Sequence, residues 1–155
     1  MFPFDEKLKE FWLYDFFEYS EEMQDEQQDE VPSFSRIYQN RTVVSSSHNT
    51  VESMGLSDTH SEVLALRKAQ NALKSRYLMD CVLFTTLEPC LMCTGAIIQA
   101  RIGAVFYFAE NRMGEGISSL AFANIYTKNF FPYLELISDV EVTQRWKEFF
   151  HRKRS

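Results

Sequence analysis

The sequence predicts an α/β fold of three layers, in which helices cover both faces of a central sheet. Two short, mostly apolar runs, residues 81–85 and 104–108, have the length of strands buried on both faces. Segments with apolar residues at helical spacing alternate with them, as expected for right-handed crossovers. The 155 residues are 45% hydrophobic, which suffices for a substantial core. We therefore expect one domain over residues 1–155, in which an N-terminal helix with an acidic end (1–30) precedes the core (31–155).

The first predicted element is a long amphipathic helix over residues 4–30. No glycine or proline interrupts it, and Pro32 ends it. Its acidic polar face would repel anionic lipid, so packing against the core is favoured over membrane binding. Residues 21–30 are nearly all acidic or amide side chains, and we expect this end to fray. The apolar stripe consists of Phe4, Leu8, Phe11, Trp12, Phe16, Tyr19 and Met23.

A β-hairpin is predicted next. Residues 36–38 and 42–44 are rich in β-branched and aromatic side chains, and residues 39–41 between them have the composition of a tight turn. The following stretch, residues 45–57, is polar and is predicted to be a loop.

A helix–strand–helix unit forms the predicted centre of the chain. Asp58 or Thr59 can cap a helix with apolar residues at helical spacing. The strand at 81–85 follows, and Pro89 suits the first turn of a second helix that continues to Ile98. The apolar positions of the first helix are Val63, Leu64, Leu66, Ala69 and Leu73.

The remaining pattern completes the alternation. A buried strand at residues 104–108 is followed by a predicted helix over 117–126, a last strand over 133–137 and a C-terminal helix over 140–151. There are no internal repeats.

Two short motifs place metal-binding side chains at the predicted starts of the two central helices. His60 is followed two residues later by Glu62, and Cys90 and Cys93 lie one helical turn apart, directly after a proline. One imidazole and two thiolates suit zinc, which takes four ligands tetrahedrally, so one position is left for water. An open zinc site beside a carboxylate is typical of catalysis, because the metal generates hydroxide and the carboxylate moves protons. The combined pattern matches the signature of zinc-dependent deaminases.

Each motif alone has other interpretations. His60 could be an ordinary surface histidine, and a lone cysteine pair could be a redox site or half of a zinc ribbon. A ribbon needs a second pair, whereas the chain has one further cysteine, Cys81, which suits a buried apolar position. A redox motif normally lacks a proline directly before its first cysteine. Because both motifs occur together and in order, the sequence favours a zinc site of His60, Cys90 and Cys93.

Composition restricts the classes of partner. The net charge is −6, but residues 1–35 hold 11 acidic and two basic side chains, so that the rest of the chain carries a net charge of +3. This permits a nucleic-acid partner without requiring one. There is no apolar run of membrane-spanning length, no basic segment of the kind that begins a secretory signal, and too few cysteines for a disulfide framework. We expect a cytoplasmic protein that does not bind membranes.

From about Val31 to its end, the chain resembles the bacterial tRNA-specific adenosine deaminases, the TadA-type branch of the cytidine deaminase-like superfamily. The N-terminal helix is less similar. The matching segments are Val31-Pro32, Asn49, Thr59-His60-Ser61-Glu62, Ala65-Leu66-Arg67, Thr85 to Ile97, Arg101-Ile102-Gly103, Ser119-Leu120 and Phe149-Phe150.

The resemblance implies a fold, an activity and partners. The family fold is a five-stranded mixed sheet between helices, and one Zn²⁺ per chain would be held by His60, Cys90 and Cys93. Glu62 would move the protons as water replaces the amine of adenosine at the wobble position of tRNA, which leaves inosine. Asn49 would hydrogen-bond the base. Members are usually homodimers that bind the tRNA anticodon arm across the dimer interface.

Departures from the family pattern bear on the substrate. Ser61 replaces the usual alanine between the histidine and the glutamate, and residues 34–36 replace the usual Gly-Ala of the first strand. Asn111, our second candidate for substrate binding, stands where the family has an aspartate near the sugar-phosphate, which implies weaker discrimination between RNA and DNA. The C-terminal segment is a few residues shorter and lacks the usual glycine. The acidic residues 21–30 suit an RNA partner poorly.

Several functions therefore compete. The closeness of the motif match and the basic, aromatic C-terminus favour deamination of tRNA adenosine. The first alternative is deamination of a free nucleobase or nucleoside, such as guanine or cytosine. A non-catalytic zinc-binding subunit that presents RNA to a partner is less favoured, because such subunits typically lose the glutamate, and Glu62 is present. Deamination of adenine in single-stranded DNA is expected only as a side activity.

Overall fold

The computed structural model describes residues 4–24, 30–111, 116–119 and 130–138, together with residues 144, 148 and 151. Helices and strands alternate along most of this part of the chain. In chain order they are α1 (Glu6–Gln24), β1 (Phe34–Gln39), β2 (Thr42–His48), α2 (Val51–Met54), α3 (Ser61–Leu73), β3 (Val82–Leu87), α4 (Leu91–Ala100), β4 (Ala104–Ala109) and β5 (Tyr133–Leu136).

The described strands form one mixed sheet in the order β2-β1-β3-β4-β5. β1 is antiparallel to both β2 and β3, whereas β3, β4 and β5 are parallel to one another. The hairpin between β1 and β2 turns at Asn40, which adopts a left-handed φ of 53°, a conformation that asparagine tolerates better than most residues. The predicted hairpin and the expected five-stranded mixed sheet are confirmed.

The alternation of side chains along β3 and β4 divides the core between two layers of helices. Side chains of one parity pack against α1, and those of the other parity pack against α3 and α4. The first set is Val82, Phe84, Phe106 and Phe108, and the second is Leu83, Val105 and Tyr107. Both faces of these strands are buried, which explains their mostly apolar sequence and confirms the predicted three-layer α/β/α fold.

α1 is shorter than the predicted helix over residues 4–30. Residues 25–29 lie outside the described residues, and Glu30 lies in a bend, so the prediction is wrong there. The buried carboxylate of Glu30 accepts the backbone N–H groups of Glu52 (3.1 Å) and Ser53 (2.6 Å) at the start of α2. Glu30 therefore caps the start of α2, more than 20 residues later in the chain, and the apolar periodicity of a helix cannot predict such a contact. The apolar face of α1 packs on the sheet, as predicted.

The predicted polar loop over residues 45–57 is wrong in two places. β2 continues to His48, and residues 51–54 form α2. Ser45 and Ser47, on the same side of β2, are buried under α3. The Ser45 hydroxyl donates to the carbonyl of Ala65 in this helix at 2.8 Å. Because these buried positions carry hydroxyls instead of apolar groups, the strand lacks the usual period-two hydrophobic pattern.

Both central helices begin later than predicted. α3 begins after His60, its N-cap residue, so neither Asp58 nor Thr59 is the cap, and the Thr59 hydroxyl donates instead to the carbonyl of Leu56 (3.2 Å). α4 begins after Cys90 and ends at Ala100, so Pro89 precedes the helix instead of lying in its first turn. Two of the predicted metal ligands are thus N-cap residues.

The other predicted elements agree with the structure where it describes them. β3, β4 and β5 match the predicted strands to within one or two residues. In the predicted helix over 117–126, residues 117–119 are helical and 120–126 lie outside the described residues. In the predicted C-terminal helix over 140–151, residues 144, 148 and 151 are helical and the others lie outside. Within the described part of the chain, no helix is both long and apolar enough to cross a membrane.

Candidate metal centre and active site

The N-terminal ends of α3 and α4 bring one histidine and two cysteines together. His60 Nδ1 lies 3.4 Å from Cys93 Sγ and 3.6 Å from Cys90 Sγ. The three candidate ligand atoms all lie within 4.8 Å of one another. The structure thus brings all three sequence-predicted metal ligands into one group that could hold a metal ion.

The distances in this group fit tetrahedral zinc. Zn–S bonds of about 2.3 Å and Zn–N bonds of about 2.0–2.1 Å, at tetrahedral angles, place sulfur and nitrogen about 3.5–3.6 Å apart. Cys93 is buried, whereas His60 and Cys90 are partly exposed, so the group is open on one side. A fourth ligand can enter there, as a catalytic metal site requires.

The electrostatics of the cysteine pair are asymmetric. A hydrogen bond from the Cys93 thiol, aided by His60, lowers the pKa of Cys90 to about 4. The pKa of Cys93 is raised, because its thiol donates to Cys90 and because it is buried beside Glu62. The hydrogen bond to Cys90 also raises the pKa of His60. The protein therefore supplies one thiolate in advance, and metal binding would displace the proton of the second.

Glu62 lies in the first turn of α3 and is only 4% exposed. Its Oε2 is 3.5 Å from Cys93 Sγ, and its Oε1 accepts the Thr85 hydroxyl at 3.0 Å. Burial raises the pKa of Glu62, because a dry environment disfavours its charged form. A carboxyl group that readily binds a proton thus lies beside the metal-binding group, as the sequence predicted.

The two predicted substrate-binding residues lie on loops tied to the metal-binding segments. The N–H of Asn49 donates to Ser33 (3.0 Å), and the next residue pairs with Thr59, directly before His60. The side-chain oxygen of Asn49 accepts the N–H of Val51 at 3.2 Å. The N–H of Asn111 donates to Glu88 Oε2 at 2.8 Å, two residues before Cys90. Their contact with a substrate stays a prediction.

Glu88 binds two described residues that follow β4, Asn111 and Ser118, a role that the sequence did not predict. Its buried carboxylate accepts the N–H groups of Asn111 (2.8 Å) and Ser118 (2.9 Å) and also the Ser118 hydroxyl. Gly116 passes so close that a Cβ there would overlap the Glu88 side chain. The available signal was an acidic residue directly before Pro89, at the end of an apolar strand.

Comparisons with known proteins identify relatives of this chain among deaminases. A family model described as MafB19-like deaminase matches residues 15–153. A tRNA-specific adenosine deaminase of Aquifex aeolicus is 36% identical over 91 residues, which are 59% of this chain and 60% of that protein. The guanine deaminase of Bacillus subtilis is 43% identical over 75 residues, 48% of each protein. The chain thus spans between about half and three-fifths of the length of these relatives.

A solved structure is similar over a larger region. It comes from biochemical and structural studies of A-to-I editing by tRNA:A34 deaminases at the wobble position of transfer RNA. Its TM-score is 0.68 at 27% identity, and the alignment covers 84% of this chain and 91% of that one. Since the family model extends over residues 15–153, well beyond half of the sequence, the chain belongs to the MafB19-like deaminase family.

Proposed function

We propose that this protein is a zinc-dependent hydrolase that converts adenosine to inosine at the wobble position of tRNA. The observation that carries the proposal is the grouping of Glu62 with His60, Cys90 and Cys93 at the ends of two helices. The three metal-binding side chains would hold one Zn²⁺ per chain. A zinc ion bound there lowers the pKa of water and so makes a nucleophile available at neutral pH.

Glu62 is the proposed acid–base residue. Its Oε2, the oxygen on the side of the metal ligands, accepts a proton from the attacking water and delivers it to the purine ring nitrogen. The same carboxylate then takes the second proton of the former water from the oxygen now bound to C6 and passes it to the amine, which leaves as ammonia when the C6–N bond breaks. The overall reaction consumes one water and converts adenosine to inosine and ammonia. Burial of Glu62 favours this role, because its raised pKa makes proton uptake easier.

A tRNA substrate is supported by the relatives and by the charge distribution. The relative from Aquifex aeolicus and the structural neighbour are both tRNA deaminases, and the chain after residue 35 carries a net charge of +3. We propose that the anticodon arm is the bound element, and that Asn49 and Asn111 contact the substrate from the two loops described above.

We further propose that the protein is a cytoplasmic homodimer in which residues 1–155 form one deaminase domain. The first turn of α4 supports self-association, since Leu91 is 64% exposed and Met92 is 40% exposed beside the metal-binding group. A second copy of this chain is a suitable partner for such an apolar surface. Sedimentation analysis of the purified protein would test the dimer.

The decisive experiment measures the inosine content of unmodified tRNA after incubation with zinc-loaded protein, by nucleoside mass spectrometry. We expect inosine with the native protein and none with Glu62→Ala, which should keep its fold and its zinc. Equal inosine from both proteins would refute the proposed acid–base role. Single-stranded DNA, assayed in parallel, tests the side activity expected from Asn111.

A second candidate is deamination of free guanine, favoured by the similarity to the guanine deaminase of Bacillus subtilis. The same zinc-loaded protein is therefore incubated with guanine, cytosine and adenine, and ammonia is measured. Ammonia release from a free base, with no inosine in tRNA, would replace the tRNA proposal with this one.

A further inference from the structure

Four buried hydroxyl groups form a continuous hydrogen-bonded chain that ends at Glu62. The Ser33 and Ser61 hydroxyls are 2.9 Å apart, those of Ser61 and Ser35 are 2.7 Å apart, and those of Ser35 and Thr85 are 2.9 Å apart. Thr85 then contacts Glu62 Oε1 at 3.0 Å. All four hydroxyl residues are at most 7% exposed.

The strand register explains how this chain arises. Ser35 on β1 pairs with Ser47 on β2 and with Thr85 on β3, so three hydroxyl residues lie side by side across the sheet. α3 begins above this row and supplies Ser61 and Glu62. The Ser47 hydroxyl has no hydrogen-bond partner in the described part of the chain. The four hydroxyls of the chain, in contrast, all have partners, and a satisfied buried network of this kind fixes the geometry of the groups that it joins.

The direction of the hydrogen bonds follows from the number of protons. Each hydroxyl has a single proton to donate. Because Thr85 donates to Glu62, it must accept from Ser35, and Ser35 must in turn accept from Ser61. Ser61 then accepts from Ser33. All four donors thus point towards the carboxyl group, and each bond polarises the next.

This arrangement makes the two oxygens of Glu62 unequal. Oε1 is occupied by the Thr85 hydroxyl at 3.0 Å. Oε2 lies within accepting distance of the Cys93 thiol (3.5 Å) and 3.5 Å from the Ser61 hydroxyl, whose proton is donated to Ser35. One oxygen is therefore anchored to the sheet, while the other faces the metal-binding group.

We propose that Thr85, supported by Ser35 and Ser61, is a positioning residue that fixes the Glu62 carboxyl group with Oε2 towards the metal-binding group. This inference rests on the proposed function, in which Glu62 moves the protons. It gives a positioning role to hydroxyls that otherwise would only attach α3 to the sheet.

The kinetic test compares two substitutions at one buried position. Thr85→Val keeps the shape of the side chain and removes the hydroxyl, whereas Thr85→Ser keeps the hydroxyl. With an anticodon stem–loop RNA as the substrate, we expect Thr85→Val to lower kcat by about 10- to 100-fold with an unchanged KM and unchanged zinc content. Thr85→Ser should stay within about threefold of the native kcat. An unaltered kcat in Thr85→Val, or an effect confined to KM, would overturn the inference.

A second comparison shows whether the chain acts as a unit. Ser61→Ala interrupts it without removing the Thr85 contact, so its effect on kcat should be smaller than that of Thr85→Val. In the double variant the two effects should not multiply, because both act on the same carboxyl group. Fully multiplicative effects would contradict a connected chain.

A crystallographic readout keeps the test independent of turnover. Crystal structures of both Thr85 variants should have the same fold, with the Glu62 carboxyl rotated away from Cys93 in Thr85→Val alone. A Glu62 side chain that stays in place in Thr85→Val would refute the positioning role. If the native protein deaminates no RNA but acts on guanine, the tRNA proposal fails, and the same kinetic comparison is made with guanine.

Discussion

The three cysteines differ in environment, and this difference separates metal ligands from a packing residue. Cys81 is 1% exposed among apolar side chains, and burial raises its pKa to about 11. Hydrogen bonding from Cys93 lowers the pKa of Cys90 to about 4. Cys90 and Cys93 lie beside His60, whereas Cys81 lies in the apolar core, so placement separates the two proposed ligands from the packing residue. The lowered pKa of Cys90 in addition favours its metal-binding thiolate form.

Substitution of individual cysteines should separate these roles. Cys93→Ala removes one of three protein ligands, so we expect zinc to be lost and deamination to fall by at least about 100-fold, since even changes in outer partners of a metal cost about 10- to 100-fold. Cys81→Ala is the matched control and should keep both zinc and activity. Metal content by mass spectrometry and ammonia release from substrate check both outcomes. Full activity in verified metal-free protein would remove zinc from the mechanism.

At the scale of elements, Glu88 joins the end of β3 to the loop after β4. Its carboxylate accepts the backbone N–H of Asn111, a proposed substrate contact, and that of Ser118, in the helical residues 117–119. The close approach at Gly116 leaves no room for a side chain. Asn111 and Ser118 are therefore both bound by one buried acidic residue that lies two positions before Cys90.

Substitution of Gly116, which lies against the Glu88 side chain, tests how tightly this contact is packed. In Gly116→Ala the new Cβ would overlap Glu88, so either the carboxylate or the loop must move, at a cost of about 1–3 kcal/mol in the free energy of unfolding. Gly95→Ala is the control, because nothing lies within 4 Å of its Cβ position in α4 and alanine favours a helix by about 0.5–1 kcal/mol. Urea unfolding measures both. Equal stability of the two variants would mean that the loop adapts without strain.

Elements with an apolar pattern were predictable from the sequence, and polar ones were not. The strands β3 and β4 follow from continuous apolar runs, and His60, Glu62, Cys90 and Cys93 follow from motifs with fixed local spacing. The end of β2 was missed because its buried positions are serines, and α2 was missed because its first N–H groups are bound by Glu30, more than 20 residues earlier in the chain. The contact of Thr85 with Glu62 was missed for the same reason.

At the scale of the whole molecule, α1 is joined to the sheet by aromatic and polar contacts. The Trp12 ring packs near Phe84 and Phe106, with centroids 6.0 and 6.1 Å away, and its indole N–H donates to the carbonyl of Asn40 at 2.7 Å. Asp15 on α1 accepts hydrogen bonds from two residues of β1, the Arg36 guanidinium (2.7 Å) and the Tyr38 hydroxyl. These contacts cover the face of the sheet opposite the metal-binding helices.

If α1 unfolds together with α3 and α4, which carry the proposed metal ligands, a destabilising substitution in α1 must also weaken zinc retention on the opposite face of the sheet. Trp12 is 1% exposed, and Trp12→Ala should lower the free energy of unfolding by about 3–5 kcal/mol. We expect far-UV circular dichroism and zinc release, both followed during urea unfolding, to show the same reduced midpoint. Tyr14→Ala, on the outer face of α1 and 69% exposed, should change stability by less than about 0.5 kcal/mol. A zinc-release midpoint that stays at the native value in Trp12→Ala would instead mean that α1 folds and unfolds independently of the site.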